Sequence, residues 1–476
     1  MNQDILKQFE PIFYPKSIAV VGASSDDAKS GTQFLRALVA AGYQGKIYAV
    51  NKSGGKSHGV DIYPDLVSIP GPVEYVIVAI PRNAVSQLLE DCVVKGVRTV
   101  QLFTAGYRES GTEEGIRLEK EMVEIAHRGY FRLIGPNCIG IYNPSMRIPY
   151  GPMNKIGEPG PVGFISQSGG HGGRLIELAM ERGINFSKLV SFGNGVDLDC
   201  VDFLEYFGAD PETKIVGAYL ESVSRSWHFL ELLRRVSAVK PVVIWKGGRT
   251  EAGAEAAASH TGALSSSYAI WKAAMTQTGA IAAESLEELA DTIIALEGIV
   301  NPAGRRVALV TGMGGGGGGE SVLGADTCIN QGLEVPRFSD ETRRQIGSLL
   351  PPAGTILRNP IDLGGSIPSL TMLEKIISLI LADDNVDILI VQEHLGKLMG
   401  SLLGRQVTAI NDVFINAWKA QKKPLVMVTP AWAPTTAALD IEKKLCDAGL
   451  PIFRSFETAA RSIARVVNYF ERRRSF

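Results

Sequence analysis

Strand-length apolar runs that end in glycine or in small polar residues recur along this sequence, and no other feature constrains its fold as tightly. The first is Ser17-Ile-Ala-Val-Val-Gly22; later ones start at Pro161-Val-Gly-Phe-Ile165 and at Arg305–Thr311. Continuous rather than alternating apolar runs mark strands buried on both faces, and the amphipathic stretches between them supply covering helices. The expected class is therefore α/β, built on parallel sheets. At 476 residues the chain exceeds one ordinary core, so several domains are expected.

The rhythm divides the chain in three. Segment 1–145 places strands at Ser17–Gly22, Lys46–Val50, Glu74–Ile80, Arg98–Phe103 and Arg132–Ile134, with a helix over Thr32–Ala41, in the manner of a Rossmann-like fold. Gly135-Pro-Asn-Cys-Ile-Gly-Ile-Tyr-Asn-Pro144 interrupts it and sets a boundary near Ser145. Segment 146–300 repeats the pattern at Pro161–Ile165, Lys188–Phe192, Lys214–Leu220 and Pro241–Trp245. Segment 301–476 follows Asn301-Pro-Ala-Gly304, with strands at Arg305–Thr311, Asp387–Val391 and Pro424–Thr429 and a closing helix over Phe456–Arg474. The second and third segments read as flavodoxin-like sheets.

Composition narrows the function. Hydrophobic residues make up 45% and charged residues 21%, a globular balance, and the formal net charge of −2 offers no global field for nucleic acid. An anionic ligand must be held by local groups. The cysteines Cys92, Cys138, Cys200, Cys328 and Cys446 lie far apart without a CxxC pair, as suits reduced thiols. Met1–Glu10 lacks a signal-peptide pattern, and the apolar runs are too short to span a membrane. The expectation is a cytoplasmic protein that binds neither nucleic acid nor membrane.

In open parallel sheets ligands gather at the carboxyl ends of strands, so the loops there carry the argument. Val21-Gly22-Ala23-Ser24-Ser25 offers a sharp turn and a helix start to a phosphate, without the full G-x-G-x-x-G fingerprint of a dinucleotide site. Asn51 and Lys52 follow the second strand, where a lysine suits a multiply phosphorylated ligand such as CoA or NADP, or simply faces solvent. Ile80-Pro81 and Thr104-Ala105-Gly106 address the same crevice. In the second segment Ser166-Gln-Ser168-Gly169-Gly170 sets a hydroxyl and several amides around one point, an anion cradle.

Lys246 to Leu264 reads as a long loop of small residues carrying His260 between Ser259 and Thr261-Gly262. An imidazole accepts a phosphoryl group when a partner orients its second nitrogen. Glu221, just beyond the strand ending at Leu220, is placed at the same sheet edge to act as that partner. His171, directly after Gly170, is a secondary candidate. His58, His127, His228 and His394 show no supporting partners and no metal-ligand spacing, so no metal site is expected. Six glycines at Gly314–Gly319 close a strand and open a helix, either pressed against a ligand or forming a pliant loop. Asp362 lies in the stiff segment Asn359-Pro-Ile-Asp-Leu363. P-loop and serine-hydrolase motifs are absent.

Taken in order, Ser17-Ile-Ala-Val-Val-Gly-Ala-Ser24, Gly135-Pro-Asn-Cys-Ile-Gly140, Ser166-Gln-Ser-Gly-Gly170, Gly193-Asn194, Ser259-His-Thr-Gly-Ala-Leu264 and Asn359-Pro-Ile-Asp-Leu363 resemble the α subunits of ADP-forming (NDP-forming) acyl-CoA synthetases and, more distantly, of succinyl-CoA synthetase. The resemblance spans essentially the whole chain. It implies a CoA-binding first domain, with Gly22, Ser24, Asn51, Lys52, Ile80, Pro81, Ala105 and Gly106 toward the cofactor. It implies His260 as the phosphorylated residue, Glu221 as the carboxylate that steadies it, and Ser168, Gly169 and Gly170 as the phosphoryl cradle. Acyl-CoA and phosphate would yield acyl phosphate and CoA, and the phosphoryl group would pass through His260 to ADP.

Without an ATP-grasp domain in the sequence, ATP/ADP and Mg2+ are expected on a separate β subunit, within a hetero-oligomer or around a homodimer of α chains. The glycine run and His171 depart from the family pattern and leave the carboxylic acid open. Two competing readings are a CoA-binding regulatory or scaffold protein that lost the chemistry and an NADP-dependent oxidoreductase. Retention of both His260 and Glu221 disfavours the first, and the missing glycine fingerprint the second.

Overall fold

The computed structural model describes residues 3–261, 267–315, 317–350, 356–363, 369–400, 404–420, 422–430 and 435–474, without the side chains of 3, 257–261 and 356. Three sheets account for its strands. The first contains β1 (Ser17–Val21), β2 (Lys46–Val50), β3 (Gly55–Ser57), β4 (Val60–Tyr63), β5 (Tyr75–Val78), β6 (Thr99–Leu102) and β7 (Arg132–Ile134), in the order β3-β4-β2-β1-β5-β6-β7. All neighbours are parallel except β3 with β4. The second contains β8 (Gly140–Tyr142), β9 (Pro159–Ser166), β10 (Phe186–Ser191), β11 (Ile215–Leu220), β12 (Val242–Lys246) and β13 (Ile281–Ala283), ordered β13-β12-β11-β9-β10-β8 with only β8 antiparallel.

The third contains β14 (Val307–Met313), β15 (Ile356–Leu357), β16 (Ile361–Asp362), β17 (Ile388–Glu393), β18 (Leu425–Val428) and β19 (Ile452–Phe453), ordered β15-β16-β14-β17-β18-β19. In each sheet the order reverses at its first long strand, β1, β9 or β14. Chains leaving neighbouring strands there turn to opposite faces and leave a crevice between them.

The chain forms two compact units: Met1–Met180 with Asn185–Leu286, and Glu181–Ile184 with Glu287–Phe476. One apolar core runs through the first unit, from Ile18 of β1 to Ile165 of β9 and Ile244 of β12. Its N-terminal helix Gln3–Phe13 stacks Phe9 and Phe13 on Tyr206, with ring centroids 4.9 and 4.7 Å apart. Just beyond it Tyr14 Oη donates to Glu212 Oε2 at 2.8 Å, and the fully buried Lys188 donates to that same oxygen and to Asp210. No helix among the described residues is long and apolar enough to cross a membrane.

The small-residue stretch after β12 departs from the expected loop. Residues Glu251–Thr261 form a helix, because alanine has the highest intrinsic helix propensity and five of these residues are alanine, which outweighs the single Gly253. His394, expected without partners, is also different: it is 2% exposed, and its Nε2 stands 3.8 Å from Glu320 Oε1.

In the second unit β14, β17 and β18 are buried along their whole length and pack on the helices Leu370–Ala382 and Val407–Lys419. Glu393 closes β17 inside this layer, fully buried, with Asn411 Nδ2 donating to its Oε1 at 3.2 Å. Burial raises its pKa from 4.5 to about 8. The folded chain thus holds a proton that the unfolded chain releases near 4.5, so this stability is complete below that value and fades as pH rises toward 8. Glu393→Gln is expected to flatten the fall in melting temperature between pH 5 and 8. The gap should amount to a few degrees, at about 2–4 °C per kcal/mol for a unit of this size. Parallel pH curves for the two proteins would show that Glu393 is not the titrating group.

Candidate active site

The reversal at β1 opens a crevice of about 680 Å³ within the first unit. Gly22 turns the chain as it leaves β1, with φ +102°, and a Cβ there would sit 2.3 Å from the carbonyl oxygen of Ala79. Only glycine lets β1 and β5 approach so closely at the crevice floor. Ala79–Arg82 after β5 and Phe103–Ala105 after β6 form the neighbouring walls. The helix Ser30–Ala41 points its N-terminus at the same space, so Ser30 and the exposed Lys29 present amides and an ammonium to an anion. Arg82 is braced through the carbonyl of Gly106 and through Glu114.

The opposite wall comes from the second sheet: Asn137–Ile139, Gly193, Asn194 and the cradle Gln167–Gly170. Gln167 ties this edge together. Its Oε1 accepts from the backbone N–H groups of Glu221 and Ser222 at 2.8 and 3.0 Å, and its Nε2 donates to Ser222 Oγ at 3.0 Å. Glu221 and Ser168 therefore leave adjacent strands, β11 and β9, with their backbones locked in register. Ser168 Oγ accepts from His171 N–H at 3.4 Å and caps the helix Gly169–Arg182. Glu221 is 5% exposed and accepts from Tyr219 Oη at 3.0 Å. Cys138, also in the crevice wall, has its thiol pKa pushed up to about 12 by burial and is a neutral group there.

The sequence-derived residues divide. Gly22, Ile80, Pro81, Ala105, Ser168, Gly169 and Gly170 line the crevice. Ser24 instead bonds to Thr32, bracing the loop onto the helix behind it. Asn51 Oδ1 holds the turn at Ser53, Lys52 faces solvent, and Gly106 backs Arg82 without lining the cavity. His260 falls in the last turn of the helix Glu251–Thr261, its side chain outside the described residues, as are residues 262–264 of its motif. Lys29, Ser30, Arg82, Gln167 and Asn194 were not singled out. Gln167 and Asn194 lay within quoted segments without a role of their own, and Lys29, Ser30 and Arg82 lay in none.

A second cavity of about 740 Å³ shares Gln167 and Asn194 with the first. Both arginines of its lining are ion-paired, Arg108 to Glu119 at 2.8 Å and Arg225 to Asp199 and Asp202, and the lining residue Asp197 is held by Arg132 at 2.7 Å. The first crevice, with Lys29 and a helix N-terminus, is the one suited to a multiply charged anion. Among the described residues no group of three or more His, Cys, Asp or Glu side chains could hold a metal ion.

The crevice thus lies between two α/β sheets, with the helix starts at Ser30 and Gly169 on its walls. Residues 16–144 match the CoA binding domain family, and residues 159–296 match the succinyl-CoA ligase like flavodoxin domain family. The chain belongs to the family of ADP-forming acetate–CoA ligases. It is 39% identical over 379 residues to the Pyrococcus furiosus acetate–CoA ligase [ADP-forming] II subunit alpha, covering 79% of this chain and 80% of that one. To the Archaeoglobus fulgidus acetate–CoA ligase [ADP-forming] I it is 36% identical across 80% of this chain, but spans only 54% of that relative's length. A solved structure of Ca. Korarchaeum cryptofilum dinucleotide forming acetyl-coenzyme A synthetase 1, in complex with phosphate and ADP, superimposes with a TM-score of 0.85 at 32% identity, covering 98% of this chain and 97% of the other.

Lys29→Ala is expected to weaken CoA binding about fivefold, the ~1 kcal/mol of an exposed charge contact, without changing the melting temperature. The loss should shrink at high salt, where the contact is screened. Calorimetric titration at two salt concentrations tests this, and unchanged affinity would place the diphosphate elsewhere.

Proposed function

We propose that the chain is the α-type subunit of an NDP-forming acyl-CoA synthetase. It interconverts acyl-CoA, phosphate and ADP with a carboxylic acid, CoA and ATP by way of acyl phosphate and phosphohistidine. The carrying observation is the joining, through Gln167, of a buried carboxylate and a phosphate cradle at one sheet edge beside the crevice. In this reading residues 1–145 are the CoA-binding domain, 146–300 carry the phosphohistidine, and 301–476 complete the ligase. CoA supplies the thiol that exchanges with phosphate on the acyl group. Lys29, Arg82 and the amides at Ser30 hold its diphosphate, and the wall at Asn137–Ile139 orients its thiol end.

The amides at Ser168–Gly170 then hold the phosphoryl oxygens. One ring nitrogen of His260 attacks phosphorus, the bond to the acyl oxygen breaks, and the carboxylate leaves with the electron pair. The N–H on the second nitrogen stays with the ring, and Glu221 stabilises the resulting positive charge. A return transfer to ADP on an ATP-grasp partner chain, where Mg2+ belongs, completes the cycle. The relative named as a separate alpha subunit, of similar length, supports that division of labour.

Incubation with acyl-CoA and phosphate is expected to give one acid-labile phosphoryl adduct by intact-mass analysis. The adduct should disappear in His260→Asn and fall in yield or lifetime in Glu221→Gln. Wild-type behaviour in His260→Asn would refute the mechanism. The isolated chain is also expected to show no tight Mg2+-dependent ATP binding by calorimetry; finding one would refute the two-chain assignment.

A further inference from the structure

Alternate residues of a strand share a face, so Tyr219 near the end of β11 and Glu221 just beyond it point to the same side. Tyr219 Oη donates to Glu221 Oε1 at 3.0 Å. The tyrosine ring is held from two sides. Trp245, its register partner on β12, lies with its ring centroid 4.5 Å away. His171, from the first turn of the helix Gly169–Arg182, packs on both rings with centroid separations of 4.5 Å to Tyr219 and 4.7 Å to Trp245.

Beneath the hydroxyl, Gly247 leaves the space in which it meets the carboxylate. A Cβ at 247 would stand 2.5 Å from Tyr219 Oη and 3.2 Å from Glu221 Cγ. The ammonium of the buried Lys246 bonds the Gly247 carbonyl and attracts the Glu221 charge. The tyrosine is thus a buried group in a cluster of three mutually tilted rings, with its polar atom directed at the candidate carboxylate.

We propose that Tyr219 is the positioning residue for Glu221: its hydroxyl, fixed by the His171 and Trp245 rings and admitted by Gly247, sets the plane of the carboxylate that receives the imidazole N–H. The inference rests on the phosphohistidine reading of the site. A carboxylate turns readily about its last side-chain bond, a broad two-fold torsion, and a misaligned oxygen accepts a poor hydrogen bond. One oxygen pinned to Tyr219 removes that freedom. Burial and the neighbouring Glu221 charge both raise the Tyr219 pKa, so the phenol keeps its proton and remains a donor across neutral pH. This arrangement also gives His171 a place: its ring is the third member of the aromatic cluster rather than a ligand to the anion.

Tyr219→Phe keeps the ring and removes only the donor. Against wild type in the acyl-CoA and phosphate assay, phosphoenzyme yield or half-life is expected to fall about tenfold, the scale of a hydrogen bond to a charged group. CoA affinity should stay unchanged. The same substitution in a Glu221→Gln background should add no further loss, because the two residues act as one unit. Gly247→Ala, which displaces the hydroxyl without deleting it, should reduce the lifetime in the same direction.

Wild-type yield and decay in Tyr219→Phe would overturn the inference while leaving the phosphohistidine reading intact. A full additional loss in the Glu221→Gln background would overturn it too, since Tyr219 would then act independently of Glu221. An adduct absent from wild type, or one retained in His260→Asn, would refute the reading itself and this inference with it.

Discussion

Reversal of strand order in a parallel sheet has a simple geometric consequence. Two chains leaving adjacent strands turn to opposite faces, and the carboxyl ends of those strands stand uncovered. This happens at β1, β9 and β14, and each of these strands leads into a loop rich in glycine or serine. At β1 the closeness of Ala79 requires a residue with no side chain at 22. At β9 the same opening is closed by Gln167, whose amide replaces the ladder hydrogen bonds that β11 can no longer receive as the strands part. Without that tie, Glu221 and Ser168 would sit on two independent loops.

Electrostatics in the crevice is local by necessity. With a formal net charge of −2, the chain has no long-range field to attract an anion. The cleft next door illustrates the alternative: its arginines Arg108 and Arg225 are spent on Glu119, Asp199 and Asp202, and burial still leaves the Glu119 pKa raised against the pull of Arg108 and Asn194. Lys29 and the amides of a helix start are what remain to face a diphosphate. The two cavities share Gln167 and Asn194, so the same polar groups that shape the cradle also partition it from the charged cleft.

The sheets were legible because strands buried on both faces must be continuously apolar. Strand ends were read one or two residues off in both directions: Glu74, Arg98 and Lys214 flank their runs but lie outside the ladders, whereas β9 starts earlier at Pro159, β10 at Phe186, and β17 runs on to Glu393. The short hairpin β3–β4 and the two-residue strands β15, β16 and β19 carry too few residues to show a period. Of the candidate site, glycine and serine at strand ends were visible, whereas Lys29 and Arg82 were not, because a charge in a turn looks the same whether it faces ligand or water. Lys52 follows β2, on the side of β1 away from the cavity-lining strand β5, and stands outside the crevice lining. Alanine and glycine together misled at 251–261, where helix propensity prevailed over the loop pattern.

That helix completes the physical picture of the site. Residues Glu251–Ala256 are exposed or half-exposed, and none is buried. Eleven residues are close to the margin at which an isolated helix forms at all, and this helix lies beside the turn Arg108–Ser110. Glu221 stands at the other extreme, fixed at its backbone by Gln167 and at its carboxylate by Tyr219. In the proposed mechanism the two properties are complementary: a short helix exposed along Glu251–Ala256 suits the segment that carries His260, and a fixed Glu221 suits the partner that must meet the imidazole ring in one orientation. The sequence assigns small residues to the first and a buried, hydrogen-bonded strand end to the second.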